Sequence, residues 1–130
     1  DIDNLNSQSI SIYFLGSKGF FTDYNARKND LLSKSVAENW AEGYTKLLNK
    51  NFDPNTLAKK IYTSKQNKDI YVTNLEFIEM LKSVSSKENI DFNLLNKIKT
   101  NDKEITLGQA ADIIFSIHKA NINLEIKKNK

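Results

Sequence analysis

Three times along the chain a polar turn leads into one or two apolar residues, then a Ser or Thr, then a helical pattern with apolar residues three and four apart. The segments are NDLLSKSVAENWAEGYTKLL from Asn29, NKDIYVTNLEFIEMLKSV from Asn67 and NDKEITLGQAADIIFSIHK from Asn101. Such recurrence constrains the fold strongly, because a unit of this size cannot bury its apolar face alone and must share a core with its neighbours.

Ser33, Thr73 and Thr106 are the predicted helix caps, separated by 40 and 33 residues (73 − 33 and 106 − 73). Glu76 and Gln109 lie three residues after Thr73 and Thr106, the spacing of a capping box, whereas Val36 occupies that place in the first unit. Behind the caps, Val36, Ala37, Trp40, Tyr44, Leu47 and Leu48 share one helical face. Leu75, Phe77, Ile78, Leu81 and Val84 share a second, and Ala110, Ala111, Ile113, Ile114 and Ile117 a third.

A shorter helical pattern precedes each capped helix: SISIYFLGSKG, PNTLAKKIYTS and NIDFNLLNKIK. Pro54 suits a first helical turn and Asp53 its cap. The predicted fold is therefore all-α, one domain of three helix-loop-helix repeats over about 9–50, 51–86 and 87–124. The loops shorten along the chain, from Gly16–Leu32 to Lys65–Val72 to Thr100–Ile105, and only the first is long enough to build a surface of its own. Short extended pieces at FFTDY and IYV are candidates to pair as small strands, with Phe20 and Phe21 alternatively plugging the core.

At 130 residues, 39% hydrophobic and 27% charged, the chain has the composition of one folded domain. Net charge is +3, yet all but Arg27 of the 19 basic residues are Lys, which removes most of the bidentate chemistry used on bases and phosphates and argues against nucleic acid as a partner. The lysines of LEIKKNK read as a solvated end. Without Cys there is neither a disulfide framework nor a thiolate metal site, which fits a secreted bacterial protein. No apolar run reaches the ~20 residues that span a bilayer, and the start at Asp1 reads as a mature chain or a piece of a larger one.

The first unit, YFLGSKGFFTDYNARKNDLLSKSVAENWAEGY, resembles the pattern of the S-layer homology (SLH) family: an apolar helix, Gly, two apolar residues, an aspartate-bearing turn, an Asn-Asp step and a capped helix. The resemblance covers nearly the whole chain after about residue 9. It implies an SLH-like pseudo-three-fold bundle and an extracellular or cell-surface location, with an anionic cell-wall polysaccharide as partner. That family carries Thr-Arg-Ala-Glu at the start of the capped helix. The corresponding tetrads here are SKSV, TNLE and TLGQ, so the Arg position holds Lys34, Asn74 and Leu107, and the acid survives only as Glu76. GFFTDYNARKNDLLS is also similar to the C-terminal ends of large secreted bacterial proteins with a flavin-dependent oxidoreductase domain, some xanthan-lyase-like. That likeness implies an accessory module packed beside a catalytic domain. With glycines only at 16, 19, 43 and 108, no dinucleotide fingerprint is present and no cofactor is expected in this chain.

Tyr24, Asn25, Arg27 and Lys28 in the first loop, with Lys34 and Trp40 on the following helix, are the candidate binding residues, Arg27 first among them. Aromatic rings pack on sugar faces while guanidinium, ammonium and amide groups bind hydroxyls and acids. Trp40 is also in register with the buried face. His118, the sole histidine, is expected in the last turn of the third capped helix, complementing its dipole rather than binding a metal. Asp23, Asp30, Asp69, Asp91, Asp102 and Glu104 mostly precede helices, where capping is their expected role, and DYNARKND lacks the central Gly and terminal Glu of a calcium loop. No nucleophile elbow or triad is present, so the expected function is non-catalytic: a module that binds surface polysaccharide or supports a neighbouring catalytic domain. The alternative is a structural or protein-interaction domain without a glycan ligand.

Overall fold

The computed structural model describes residues 7–21, 29–48, 53–64, 70–88, 90 and 93–128. Among them the chain is helical: α1 (Ser7–Ser17), α2 (Lys34–Leu48), α3 (Pro54–Ser64), α4 (Asn74–Lys87), α5 (Asn93–Asn96) and α6 (Leu107–Lys128). No strand forms among the described residues. The extended pieces that precede α2, α4 and α6 meet only as isolated bridges, Leu31 with Thr106, Ser33 with Tyr71 and Thr73 with Glu104.

The caps act locally as their spacing requires. Thr73 Oγ1 accepts the Glu76 amide at 3.1 Å while Glu76 Oε1 accepts the Thr73 amide at 2.8 Å. Thr106 and Gln109 repeat the exchange at 3.2 and 3.0 Å. Ser33 Oγ accepts the Val36 amide at a longer 3.4 Å, and the apolar Val36 side chain has no acceptor with which to return the bond.

Immediately before the caps, the three pieces close on one another. The Leu32 amide donates to the Ile105 carbonyl (3.0 Å), Ile105 to Val72 (3.1 Å) and Val72 to Leu32 (3.0 Å). Two residues on from each corner a second triangle of bonds forms: Lys34 donates to Ile70, Asn74 to Lys103 and Leu107 to Asp30, each at 2.8 Å. Leu32, Val72 and Ile105 are buried at the centre, so backbone groups that would otherwise be orphaned in an apolar setting satisfy each other.

The helices extend the same exchange of partners. α1 packs on α6, α3 on α2 and α5 on α4, while α2 also meets α4 and α6. Each short helix thus covers a capped helix from another segment. α3 comes so close to α2 that a Cβ at Gly43 would lie 2.8 Å from Leu57 Cδ2. Trp40, Tyr44, Phe77, Ile78, Leu81, Ala110, Ala111 and Ile114 join Leu15, Phe20, Leu57, Ile61 and Leu95 in one apolar cluster. A buried hydrogen bond crosses it, Tyr44 Oη with Ser85 Oγ at 2.8 Å, and a half-buried one ties α1 to α6, Ser11 Oγ donating to Asp112 Oδ1 at 2.8 Å.

Two sequence expectations need correction. The third short helix is a single turn, because NIDFNLLNKIK is rich in weak helix formers, and within that turn Leu95 is buried while Leu94 is exposed. α6 continues to Lys128, since no Gly or Pro follows Gly108 to stop it, so His118 lies in mid-helix and does not complement a helix C-terminus. Tyr71 bridges to Ser33, and Phe20 and Phe21 pack edge-on against Trp40, while the rest of the FFTDY piece, and with it the expected pairing to IYV, lies outside the described residues.

Candidate functional site

A polar cleft lies between the start of α4 and the start of α6, with a volume of about 400 Å³. Asn74 enters it from α4, Asn101, Lys103 and Glu104 from the preceding loop, and Gln109 and Asp112 from α6. Backbone hydrogen bonds orient its amides. Asn74 Oδ1 accepts the Asn101 amide at 3.0 Å, Asn101 Oδ1 accepts the Lys103 amide at 2.9 Å, and Gln109 Oε1 accepts the Thr106 amide at 3.0 Å. With each carbonyl oxygen held by the main chain, the amino end of each carboxamide is left as the donor. Among the described residues none of these three amino groups has a protein partner. Together with the Lys103 ammonium they make a donor-rich wall suited to hydroxyl oxygens, while the carboxylates of Glu104 and Asp112 in the same cleft add acceptors and oppose an anionic ligand.

Lys34, the first residue of α2, is exposed, and its amide bond to Ile70 brings it beside Ile70 and Tyr71, which are 53% and 46% exposed. A lysine at this end of a helix opposes the macrodipole, and no acid offsets it in the first turn of α2. Trp40 takes the core position that its register favours. It is fully buried between Phe20 and Phe21, with ring centroids at 5.4 and 5.2 Å and both rings edge-on. Its indole Nε1 has no hydrogen-bond partner among the described residues. Tyr24, Asn25, Arg27 and Lys28 lie outside the described residues, as do Asp23, Asp69 and Asp91.

The remaining titratable candidates have structural surroundings. His118 stacks on Phe14 with ring centroids 4.9 Å apart. Asp53 caps α3, accepting the Asn55 amide and the Thr56 hydroxyl, and these bonds, the hydroxyl's first, hold its carboxyl below the ordinary value. Asp30 contributes its main-chain carbonyl to Leu107, and Glu104 pairs in the bridge to Thr73. Among the described residues no group of three or more His, Asp or Glu side chains is placed to hold a metal ion.

The sequence reading placed the binding surface in the first loop and did not single out the Asn74–Asn101–Gln109 wall. Its only sequence trace is the amide at each place, Asn74 at the tetrad position of the family's Arg, Asn101 opening a polar turn and Gln109 closing a capping box. Their convergence depends on a bridge between distant segments.

Compared with family models, curated proteins and solved structures, the chain matches none. No helix among the described residues is long and apolar enough to cross a membrane.

Proposed function

We propose that this chain is a non-catalytic, SLH-like extracellular module of a bacterial protein, built from three repeats around a pseudo-three-fold axis, and that it binds surface polysaccharide. The observation that carries the repeat reading is the closed triangle of bonds through Leu32, Val72 and Ile105. Its corners, and those of the second triangle at Lys34, Asn74 and Leu107, are spaced along the chain by the same 40 and 33 residues that separate the caps. The binding reading is supported by the wall of oriented carboxamides beside Lys103, because a sugar presents many acceptor oxygens and little charge. A row of amino donors with one cation, set beside the carboxylates of Glu104 and Asp112, offers both donors and acceptors to neutral hydroxyls.

A second reading, an interaction domain docked on a neighbouring catalytic domain, is favoured by the exposed apolar side chains of Leu31, Ile70 and Tyr71 on the rim of the triangle. Co-sedimentation with bacterial envelopes, before and after chemical stripping of wall polysaccharide, separates the two. The polysaccharide reading expects pelleting that stripping abolishes and that Lys103→Glu weakens. The first-loop site is tested beside it by Arg27→Ala and Lys34→Ala. Absence of pelleting from every envelope would sink polysaccharide anchoring and leave the docking role.

A further inference from the structure

A second cleft, of about 750 Å³, runs between the end of α1 and the exposed side of α3, within the roughly 300–1,000 Å³ common for small-molecule sites. Gly19 closes one end. Its φ of +85° lies in the left-handed region, and a Cβ there would run into the Pro54 carbonyl oxygen, so the turn after α1 rests directly on the first residue of α3. At Gly16 nothing lies within 4 Å of the place a Cβ would take, so the wall is open above the last turn of α1.

The opposite wall is one face of α3. Asn55, Lys59 and Tyr62 succeed one another at four- and three-residue spacing and all line the cleft, with Ala58 as its low floor. Tyr62 is 63% exposed, a large ring left in water eight residues, or roughly 12 Å of helix rise, from the closed end at Pro54. Phe21 lines the cleft from behind and meets the buried Trp40 edge-on at 5.2 Å.

We infer that this cleft is a stacking subsite for a pyranose ring of the polysaccharide, in which Tyr62 packs on the C–H face of the sugar while Asn55 and Lys59 bind its hydroxyls. The inference rests on the polysaccharide reading above but uses different residues. The chemistry follows from the lining: an exposed phenol offers a flat apolar surface with a polar edge, and the amide and ammonium beside it supply directional donors. Neither nucleotide nor lipid fits as well. A single Lys gives little phosphate recognition, and the lining has no run of aliphatic side chains to receive an acyl chain.

Trp40 is the chain's sole tryptophan and touches Phe21, which lines the cleft, so a change in its emission is the expected readout of occupancy. The probes are cellotetraose and the β-1,4-linked tetramer of N-acetylglucosamine, titrated against the full chain. The expected result is a saturable change in Trp40 emission with at least one probe. Tyr62→Ala should weaken binding about tenfold and Tyr62→Phe should retain it, since stacking needs the ring and not the hydroxyl. Lys103→Glu should leave this titration unchanged. Because Tyr62 is largely exposed, the variants should fold, which circular dichroism checks. Binding that Tyr62→Ala leaves intact overturns this subsite without touching the carboxamide cleft. Failure of both probes while envelope pelleting persists overturns it in the same way. Failure of both probes and of pelleting overturns both readings.

Discussion

The Val72 amide donates to the Leu32 carbonyl at 3.0 Å, and both side chains are buried against the Ile105 piece that completes the triangle. No one of the three segments can make this arrangement without the other two, so their stabilities should be coupled. Leu32→Ala deletes the side chain at one corner and should cost about 2–5 kcal/mol. Trp40 fluorescence, which reports α2, and far-ultraviolet dichroism, which reports all helices, should still show one coincident denaturant transition. Separate transitions would mean that the segments fold independently.

The caps should differ in strength along the chain. Thr73 engages in a two-way exchange with Glu76, while Ser33 accepts one long bond and receives none. Thr73→Ala should therefore destabilise by about 1 kcal/mol, and Ser33→Ala by clearly less, in paired chemical-denaturation experiments. Equal losses would show that the bridge positions, not the caps, set the energetics.

Gly16 and Gly19 should respond oppositely to alanine. Gly16 lies in α1 with open space above it, so Gly16→Ala should stabilise by about 0.5–1 kcal/mol. At Gly19 alanine must adopt a left-handed backbone and push against Pro54, so a loss of about 1–3 kcal/mol or more is expected. Thermal melts of the two variants give the sign directly.

Asp53 supplies a pH signature. Its folded carboxyl titrates below the ordinary 3.8, chiefly because it accepts the Thr56 hydroxyl and then the Asn55 amide. A depressed carboxylate contributes stability that is complete above the unfolded value and fades as pH falls through the lowered folded value. Carbon-detected NMR should find the Asp53 titration below 3.8 and moving upward in Thr56→Val. An unchanged titration in that variant would assign the shift to other neighbours.

Trp40 shows how far local pattern reaches. Its register with Val36, Ala37 and Tyr44 marks a buried position, and its chemistry marks a sugar platform. The ring is buried between Phe20 and Phe21, and nothing in the order of residues shows that those two would return from the end of α1 to cover it. His118 shows the opposite error. Its surroundings depend on how far α6 runs, and helix length depends on stop signals that are absent after Gly108.

The sequence alone determined the capped helix starts and most of the buried faces of α2, α4 and α6, because both arise from interactions within a few residues: a side chain reaching three positions along, and a 3.6-residue period of apolar groups. Tertiary structure alone decided which segments meet, where the two clefts open and which amides converge. Those outcomes rest on single backbone bonds between Leu32, Val72 and Ile105 and between Asn74 and Lys103, far apart along the chain. A backbone N–H and C=O are the same at nearly every residue, so such a bond leaves no mark in side-chain identity from which its partner can be read.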